Sequence, residues 1–370
     1  MKKICWITPD CFIDVDIYVI RELSISYNIF WTIIESPNST TDNQVYIDNI
    51  LGKQKTNINI SLVKQNFRLR DLRNINLLYT LIRNCKKNKP DLYYVSALFQ
   101  PYGALLYKIL LPTRNVVFAC HNVTTPIGAT DESFAKKYTY LWLKFARNIN
   151  VFSKSQKKVL ETKFHNKNIL YAPLAIKDYG VPSFDRRNLD SNYVRFLSFG
   201  NIVDYKRIDI LIEAGNILFE KGIKNFSIRI AGKCQCWNKY QALIRHPEVF
   251  DLKIERIPNE DIPNLFAESQ YFVMPYQDIA QSGAITIAFR YNLPTIVSDI
   301  PQFEEFVQNG KTGITFKSED AFDLADKMQY AIEEYSTIYN ELCKNQEVFV
   351  KKILSINSIK KRYLDFFEKL

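Results

Sequence analysis

Gln281, Ser282 and Gly283 stand directly before an apolar, helix-like segment in QSGAITIAFRYNLPTIVSD, residues 281–299. The first backbone amides of a helix lack intrahelical partners and lie at the positive end of the helix dipole. A serine hydroxyl adds a hydrogen-bond donor, and a glycine lets phosphate oxygens approach the backbone. These residues predict a phosphate site at the start of the helix. A capped helix without a ligand is the alternative.

A second group of candidates follows the apolar segment 193–199, which ends at Gly200. Glycine permits a sharp turn after a strand, and Asn201 comes next in the chain. Lys206 and Arg207 stand near the start of the following helix, where the helix dipole disfavours cations. An anion such as a diphosphate would explain cations at this position. A solvent-exposed Lys–Arg pair is the alternative.

Further segments of the second half place candidates at strand ends or in turns. Gly232 ends an apolar segment, where a glycine permits close approach of a ligand or simply forms a turn. The loop from Ile257 to Asn259 is of a kind that binds a flat base through its backbone, with Asn259 as the N-cap of the next helix. The other candidates are the strand-end residues Pro275 and Tyr276. Glu304 and Glu305 begin a short helix, where acidic groups are favoured in any case, and one of them is expected to face ligand hydroxyls.

His121 follows the apolar segment VVFAC, at a strand end where polar side chains face the ligand in parallel sheets. A histidine there positions an acceptor hydroxyl or relays its proton, and a structural histidine is the alternative. Asp10, Asp14 and Asp16 follow the first predicted strand. Three such carboxylates could bind a metal, but they are more often caps and turn formers, and we predict no metal site.

Short apolar segments alternate with amphipathic ones along the chain, which is the pattern of βαβ units and parallel sheets. In the first half the pattern predicts strands at 2–8, 28–35, 57–63, 91–95, 115–120 and 149–153 and helices at 15–26, 70–88, 99–110, 132–147 and 154–164. In the second half it predicts strands at 193–199, 226–231, 251–255, 270–274, 294–297 and 313–316, helices at 206–221, 237–245, 259–268, 283–291 and 301–308, and closing helical stretches at 318–346 and 354–369.

Residues 172–192 carry prolines and little periodicity, as expected of a linker. A chain of 370 residues is long for a single core. We therefore expect an α/β protein with two doubly wound, Rossmann-like domains facing a central cleft, where ligands of such sheets bind. The expected domains are 1–178, on the acceptor side, and 190–350, which binds the nucleotide, with the helix 354–370 packing back on the first domain.

Composition excludes several classes of protein. No apolar run is long enough to span a membrane, the start MKKICWITPD lacks a secretion signal, and seven cysteines without regular spacing suggest a reducing compartment. A cytoplasmic location follows. The net charge of +10, with basic residues crowded between Lys64 and Lys89, points to nucleic acid, anionic lipid or phosphorylated substrates. A solvent-exposed helix face in a lysine-rich chain is the alternative. No zinc, helix-turn-helix or aromatic-basic motif supports nucleic acid.

Five segments of the second half resemble, in their order and spacing, bacterial glycosyltransferases of family 4, within group 1, which have the GT-B fold. These segments are FGNIVDYKRIDILIEA, IRIAG, NEDIPNLFAESQYFVMPY, QSGAITIAFRYNLPTIVSD and EFVQNGKTGITF. The resemblance covers most of residues 193–330. A weaker similarity occurs in the first half at WITPDCFIDVDI, ACHN and NVFSKSQKKVLETKF. It implies a retaining transfer of a sugar from a nucleotide-diphosphate sugar, without a cofactor.

The resemblance also implies roles for individual residues. Lys206 matches the lysine that contacts the donor diphosphate, and Ser282 and Gly283 match the turn at the distal phosphate. Glu305 lies where the family has a glutamate near the nucleotide sugar, Ile257 lies in the loop facing the base, and His121 matches a histidine of the catalytic site.

Two positions depart from the family. Asn201 stands where an arginine often follows the glycine, which leaves Lys206 and Arg207 to neutralise the diphosphate. The paired-glutamate motif is lost as well, because Ile287 aligns with the second glutamate, which meets the ribose, and Ile279 or a neighbour with the first. Loss of one hydrogen bond to a charged group costs about 1.5–3 kcal/mol, which an enzyme tolerates.

Two functions are therefore expected. The first is transfer of a sugar to a glycan or lipid-linked glycan in the synthesis of a bacterial surface polysaccharide, at the inner face of the cell membrane with a peripheral contact to anionic lipid. The second, motivated by the missing glutamate, is a noncatalytic GT-B-like subunit that binds nucleotide or glycan and supports a partner enzyme.

Overall fold

The computed structural model describes residues 1–37, 42–52, 56–68, 71–98, 100, 102–125 and 132–370. The basic residue Arg70, within the stretch from Lys64 to Lys89, lies outside these ranges. Unit 1 comprises residues 1–125, 131–175 and 354–370, and unit 2 comprises residues 126–130 and 176–353. Each unit is described separately.

Unit 1 alternates strands and helices. Its strands are β1 (Lys3–Pro9), β2 (Asn28–Glu35), β3 (Ile58–Lys64), β4 (Leu92–Val95), β5 (Val116–Cys120), β6 (Asn148–Val151) and β7 (Asn168–Tyr171). Its helices are α1 (Ile13–Leu23), α2 (Asn43–Leu51), α3 (Asn74–Lys87), α4 (Gly103–Leu110), α5 (Glu132–Phe145) and α6 (Lys154–Lys163), joined by a last helix of the chain.

Unit 2 repeats the pattern. Its strands are β8 (Val194–Phe199), β9 (Phe226–Ala231), β10 (Phe250–Lys253), β11 (Tyr271–Met274), β12 (Thr295–Ser298) and β13 (Gly313–Phe316). Its helices are α7 (Ile208–Glu220), α8 (Asn238–Gln241), α9 (Ile262–Ala267), α10 (Gly283–Arg290), α11 (Ala321–Glu333) and α12 (Tyr335–Phe349), after which α13 (Ile356–Phe367) returns the chain to unit 1.

Both sheets are parallel and doubly wound. In the described residues the strand order of unit 1 is β3-β2-β1-β4-β5-β6-β7, and that of unit 2 is β10-β9-β8-β11-β12-β13. In each sheet the order reverses beside the first strand, β1 or β8. At such a point the carboxyl ends of neighbouring strands diverge and leave room for a ligand.

The sheet of unit 1 is covered on both faces. Along β1, Ile4 and Trp6 belong to one hydrophobic core, whereas Cys5 and Ile7 belong to another, as expected of alternating side chains. The first core is completed by side chains of α1, α2 and α13, and the second by side chains of α3, α4, α5 and α6. This two-sided burial explains the nearly continuous apolar sequence of these strands.

The structure corrects several predicted elements. Residues 301–306 form turns instead of a helix, although Phe303, Phe306 and Val307 have helical spacing. These three side chains are buried, so consecutive turns satisfy the same apolar pattern. Helix α9 begins at Ile262, because Pro263 lies in its first turn, and Asn259 is therefore not its N-cap.

Other elements were missed or merged in the sequence-based prediction. Helix α2 and strand β7 were not predicted, and 237–245 is helical only over α8. The stretch 318–346 is two helices, α11 and α12, separated at Glu334. In the described residues no helix is long and apolar enough to cross a membrane.

Candidate functional site

Two glycine turns of unit 2 meet at the ends of β8 and β9. Gly200 has φ of +106° and Gly232 has φ of +148°, values that side chains rarely allow. A Cβ atom at Gly232 would lie 2.1 Å from the carbonyl oxygen of Gly200. Gly232 is therefore required for the close approach of the two turns, which supports the predicted turn.

Lys206 lies against the first of these turns, in a 3-10 turn over Asp204–Lys206 that precedes α7. Its Nζ is 3.1 Å from the position of a Cβ on Gly200 and 5.4 Å from the centre of the Tyr276 ring. Burial lowers the pKa of its ammonium to about 8. Among the described residues no carboxylate forms an ion pair with Lys206. The site therefore holds a half-buried cation whose counter-charge the described residues do not supply.

The turn that carries Lys206 is bonded to the loop that leads to α10. The amide of Gln277 donates to the carbonyl of Tyr205 over 2.8 Å. Tyr276 is buried, and its carbonyl accepts from the hydroxyl of Ser298. The segment from Tyr276 to Ser282 is thus fixed at one end to the Lys206 turn and at the other to the start of α10.

Ser282 caps α10 instead of offering a free hydroxyl. Its Oγ accepts from the amide of Ile285 over 3.3 Å, and the hydroxyl donates to the sulfur of Met274. The amides of Gly283 and Ala284 have no acceptor within the described part of the chain. The predicted anion site at this helix start therefore rests on two backbone amides, with Ser282 as the cap that orients them.

Lys177 is a residue of this site that the sequence did not predict. A Cβ on Gly283 would lie 3.4 Å from its Nζ, so the ammonium of Lys177 lies at the first residue of α10. The segment around it is held on α10 by the ion pair of Asp178 with Arg290 (2.9 Å) and by the hydroxyl of Tyr291, which donates to the carbonyl of Gly180. The only signal in the sequence was a lysine in a region interpreted as a linker.

Other predicted residues have different surroundings. Arg207 forms ion pairs with Asp209 (2.8 Å) and Glu319, so carboxylates of the chain compensate its charge. Its position gives no support to the predicted diphosphate contact. Asn201 is exposed beside Gly200. Ile257 lines a groove of about 550 Å³ together with Lys253, Pro258 and Leu265.

Two positions near α10 lack the carboxylates of a paired-glutamate motif. Ile287 and Ile279 are both buried, at 4% and 6% exposure. Thr286, beside Ile287, donates its hydroxyl to the carbonyl of Gly283 over 2.8 Å. Glu305 lies half-buried in the turns after β12. Among the residues predicted from the sequence to bind the donor, Glu305 is the one that carries a carboxylate.

In unit 1, His121 lies at the end of β5, as predicted. Its ring stacks between those of Phe12 and Phe152, with centres 3.8 Å and 4.5 Å away. Its Nε2 is 2.9 Å from the carbonyl oxygen of Ser96, and a carbonyl can only accept, so Nε2 carries a proton. These contacts fix the orientation of the ring.

The carboxylates after β1 are engaged by the chain. Asp10 accepts hydrogen bonds from the amide and the hydroxyl of Ser36 (2.8 and 2.7 Å), and Asp16 accepts from the hydroxyl of Thr8 (2.7 Å). No group of three or more His, Cys, Asp or Glu side chains suited to a metal occurs among the described residues. Neither carboxylate caps the 3-10 turn or α1, so these contacts differ from the caps and turns that the sequence predicted.

Comparison with known proteins relates this site to one family. Residues 194–334, from β8 into α11 and its C-terminal end, match the model of the family described as glycosyl transferases group 1. A search of curated protein sequences finds no match to the chain. The matched region contains Gly200, Lys206, Gly232 and the start of α10.

Solved structures resemble the whole chain. A glycosyltransferase from Rickettsia africae has a TM-score of 0.74 and 18% identity, and the similarity covers 100% of this chain and 98% of that one. HepE from Anabaena, in complex with UDP and glucose, has a TM-score of 0.71 and 13% identity over 100% of both chains. A TarM variant from S. aureus, in complex with fondaparinux, α-GlcNAc-glycerol and UDP, has a TM-score of 0.74 and 13% identity, over 99% of this chain and 100% of that one. The predicted GT-B fold is confirmed.

Proposed function

We propose that this chain, which contains a group 1 glycosyltransferase domain at residues 194–334, transfers a sugar from a nucleotide-diphosphate sugar to a glycan or lipid-linked glycan. The proposal includes membership of family 4, retention of the anomeric configuration and a role in bacterial surface polysaccharide synthesis. Unit 2 would bind the donor and unit 1 the acceptor, at the boundaries predicted from the sequence.

One observation carries the proposal: the half-buried Lys206 places its ammonium at the glycine turn after β8, without a carboxylate partner in the described residues. An unpaired buried charge is costly, and its cost is recovered when an anion binds beside it. A diphosphate supplies that anion. HepE and TarM were solved with UDP, which is a nucleoside diphosphate and supports this choice of ligand.

The start of α10 supplies the second part of the proposed diphosphate site. The amides of Gly283 and Ala284 would donate to the distal phosphate, and Lys177 would add a positive charge there. Lys177 would thereby replace the arginine that the family often has at the position of Asn201. Arg207 stays a weaker candidate, because Asp209 and Glu319 already compensate its charge.

Other assignments follow the resemblance. Ile257 and its groove would hold the base, Gly200, Gly232, Pro275, Tyr276 and Gln281 would line the donor site, and Glu305 would contact donor hydroxyls. Ile287 offers no hydrogen bond to a ribose, so the proposal assigns nucleotide affinity mainly to the diphosphate contacts.

The chemistry asks the protein mainly to stabilise the charge that develops on the departing diphosphate. Preorganised cations and amides do this, because they need not reorganise when the bond to the sugar breaks. The proposal assigns that task to Lys206, Lys177 and the α10 amides, without a metal or cofactor. His121, whose ring orientation is fixed at the end of β5, would position the acceptor hydroxyl.

Calorimetry with UDP, GDP and other nucleoside diphosphates tests the central assignment. We expect at least one to bind, and Lys206→Met to lower its affinity about 10- to 100-fold, because one charge-assisted contact is lost. In a thermal-shift assay the bound ligand should raise the melting point of the wild type. Lys221→Met is the matched control, since Lys221 lies at the far end of α7 and pairs with Asp326.

Equal nucleotide affinity of the Lys206→Met and Lys221→Met variants would refute the placement of the diphosphate. Replacement of Gly283 by valine should also weaken binding, because its side chain would occupy the space between the α10 amides and Lys177. This variant keeps Lys206 and so tests the two halves of the proposed site independently.

A noncatalytic nucleotide-binding subunit is the second candidate function, and the absence of a carboxylate at Ile287 favours it. Incubation with labelled nucleotide sugars and membrane extract separates the two. Transfer or donor hydrolysis that disappears in Lys206→Met supports the enzyme. Tight nucleotide binding without any turnover across the donor panel supports the subunit.

The proposed acceptor also implies a place of action. A lipid-linked glycan is made at a membrane, so the chain would work in the cytoplasm with a peripheral contact to the inner face of the cell membrane. Anionic lipids would attract the basic residues of unit 1.

A further inference from the structure

Three helices of unit 1 pack side by side on one face of its sheet. Helix α4 lies between α3 and α5: the ammonium of Lys86 on α3 donates to the carbonyl of Leu110 (3.2 Å), and that of Lys108 on α4 lies 4.7 Å from the centre of the Phe145 ring on α5. The inner sides of the three helices share one hydrophobic core with the sheet. Their outer sides therefore form one surface, called here the α3–α5 surface.

Large apolar side chains are exposed on this surface. Leu105 and Ile109 are 56% and 68% exposed and lie one turn apart on α4, hence on the same side of the helix. Neighbouring helices add Tyr79, Phe134 and Leu141. Single exposed apolar residues are normal in proteins, but a group of them on adjacent helices marks a contact surface.

Cations lie on the same three helices as these apolar residues, and the sequences of these helices contain one carboxylate residue, Glu132. Within the described part of the chain, no ion pair is formed by the surface residues Arg83, Lys86, Lys108, Lys137 and Lys144. Residues 72–130 contain a single carboxylate, Asp91, which accepts a hydrogen bond from the amide of Lys3. The α3–α5 surface therefore combines exposed apolar side chains with an excess of cations, although α5 begins with Glu132.

The rest of the chain shows that this charge is local. Unit 1 carries 28 Lys and Arg against 14 Asp and Glu, a net charge of +14, whereas unit 2 carries 21 against 25, a net charge of −4. Cations of unit 2 such as Arg229, Arg245 and Lys221 form ion pairs with neighbouring carboxylates. The net charge of the protein thus comes from unit 1.

We infer that the α3–α5 surface docks on an anionic lipid bilayer, with Leu105 and Ile109 inserted among the headgroups and the cations on lipid phosphates. Two independent features select this partner. Apolar side chains gain free energy on entering the headgroup region, and each lysine or arginine near an anionic membrane adds to the attraction. Nucleic acid would pair with the cations through its phosphates, but it would offer no apolar partner to the exposed leucine and isoleucine side chains.

A hollow between α4 and α5 has the same chemistry as the surface. Its wall includes Tyr107, Phe118 and Trp142, and the exposed side chains of Lys108 and Arg147 border it. The accessible volume of this hollow is only about 20 Å³, which is too small for an acyl chain, so the inference does not depend on it. The inference extends the peripheral membrane contact of the proposed function by naming the surface, and it does not require glycosyl transfer.

Sedimentation of the full-length chain with lipid vesicles tests the inference. We expect binding to vesicles of phosphatidylcholine with about one-third phosphatidylglycerol, and binding at least tenfold weaker to phosphatidylcholine alone, since each cation near the surface contributes up to about fivefold in affinity. Binding should also weaken as salt is raised, because salt screens the attraction. Leu105→Glu with Ile109→Glu should lower the affinity at least tenfold.

Two further variants separate the surface from general charge. Lys86→Glu with Lys108→Glu and Lys144→Glu should also lose at least tenfold in affinity. The matched control is Phe322→Glu with Lys344→Glu and Lys352→Glu, which alters an exposed apolar residue and two exposed cations of unit 2. The control should bind vesicles almost as the wild type does.

Several results would overturn the inference. They are no vesicle binding by the wild type, equal loss in the control and the surface variants, and binding unaffected by the surface variants. Salt-sensitive binding of oligonucleotides without binding of vesicles would assign the surface to nucleic acid instead. Circular dichroism verifies that each variant is folded, and its nucleotide affinity reports on unit 2, so failure of docking and failure of the proposed function are distinguishable.

Discussion

The first strand of each unit leads through a 3-10 turn into a helix, and each connection shields one charged side chain. In unit 1, the turn Asp10–Phe12 connects β1 to α1, and Asp16 lies in the first turns of α1. In unit 2, the turn Asp204–Lys206 connects β8 to α7. The two connections occupy equivalent positions in sheets of the same topology, and their charged residues have opposite sign.

Asp16 has its partners within the chain. Its carboxylate accepts from the hydroxyl of Thr8, which in turn accepts from the indole of Trp31 over 2.8 Å. Burial raises the pKa of Asp16 to about 6, although the Ser96 and Thr8 hydroxyls and the Trp6 indole favour the charged form. The hydrogen bond from Thr8 therefore offsets only part of the cost of burying this charge.

Lys206 has no carboxylate partner in the described residues, and burial lowers its pKa in the same way that burial raises that of Asp16. The difference lies in what compensates the charge. A carboxylate whose hydrogen-bond donors fold with it has its charge partly compensated within the chain, whereas a cation without a carboxylate partner is arranged for a ligand. This contrast leads us to assign the anion site to unit 2.

The largest expected effect concerns the buried carboxylate of Asp16. With a pKa raised from 3.8 to about 6, folded Asp16 binds a proton more tightly than the unfolded chain does, so its contribution to stability falls as pH rises through that window. Above pH 6 the cost approaches about 3 kcal/mol. Asp16→Asn removes it. Urea unfolding should show the variant gaining about 2 kcal/mol more over the wild type at pH 7.5 than at pH 4.5.

Asp365→Asn is the control for this experiment, because Asp365 is an exposed acid on α13 of the same unit. Its unfolding free energy relative to the wild type should be nearly independent of pH. If Asp16→Asn behaved in the same way, Asp16 would not be a buried carboxylate, and the contrast between the two connections would be lost.

The fold was predictable because apolar periodicity is imposed locally. Strands β2, β9 and β13 have the predicted bounds, since each is a buried run bordered by turn residues. Helix α2 was missed because its sequence NQVYIDNIL has a weak apolar pattern, with Ile47 and Leu51 as its buried apolar side chains. The turns at 301–306 were mistaken for a helix because their buried side chains share the helical spacing. Apolar spacing alone does not distinguish these conformations.

The site was predictable where the backbone dictates the residue and less so where side chains meet across loops. Gly200, Gly232 and the Ser282 cap follow from turn and helix chemistry. Lys206 was predicted from its unfavourable place at a helix start. Lys177 was not, because its proximity to Gly283 depends on how residues 177–180 pack on α10. The ion pairs of Arg207 depend likewise on Glu319, which is distant in sequence.

A smaller effect concerns the ammonium of Lys206, which has no carboxylate partner in the described residues. Only the protonated ammonium of Lys206 attracts a diphosphate, and its pKa near 8 means that most of it is neutral at pH 9. Binding must then restore the proton, so the affinity for a nucleoside diphosphate should fall about tenfold between pH 7.5 and pH 9. Calorimetry at the two values measures this change. Lys206→Met should show little of it, and an equally steep fall in that variant would assign the titration to another group.

The smallest effect is expected at a paired cation beside Lys206. Lys239 forms an ion pair with Asp204, in the same 3-10 turn, and both side chains are largely exposed. Exposed pairs contribute less than about 1 kcal/mol, so Lys239→Met should change the unfolding free energy by no more than that. Its nucleotide affinity should stay within about twofold of the wild type, because Lys239 is already neutralised by Asp204. A loss of nucleotide affinity as large as that of Lys206→Met would show that any positive charge near the turn contributes to binding, whether or not it is paired. The contrast between Asp16 and Lys206 would then no longer locate the anion site.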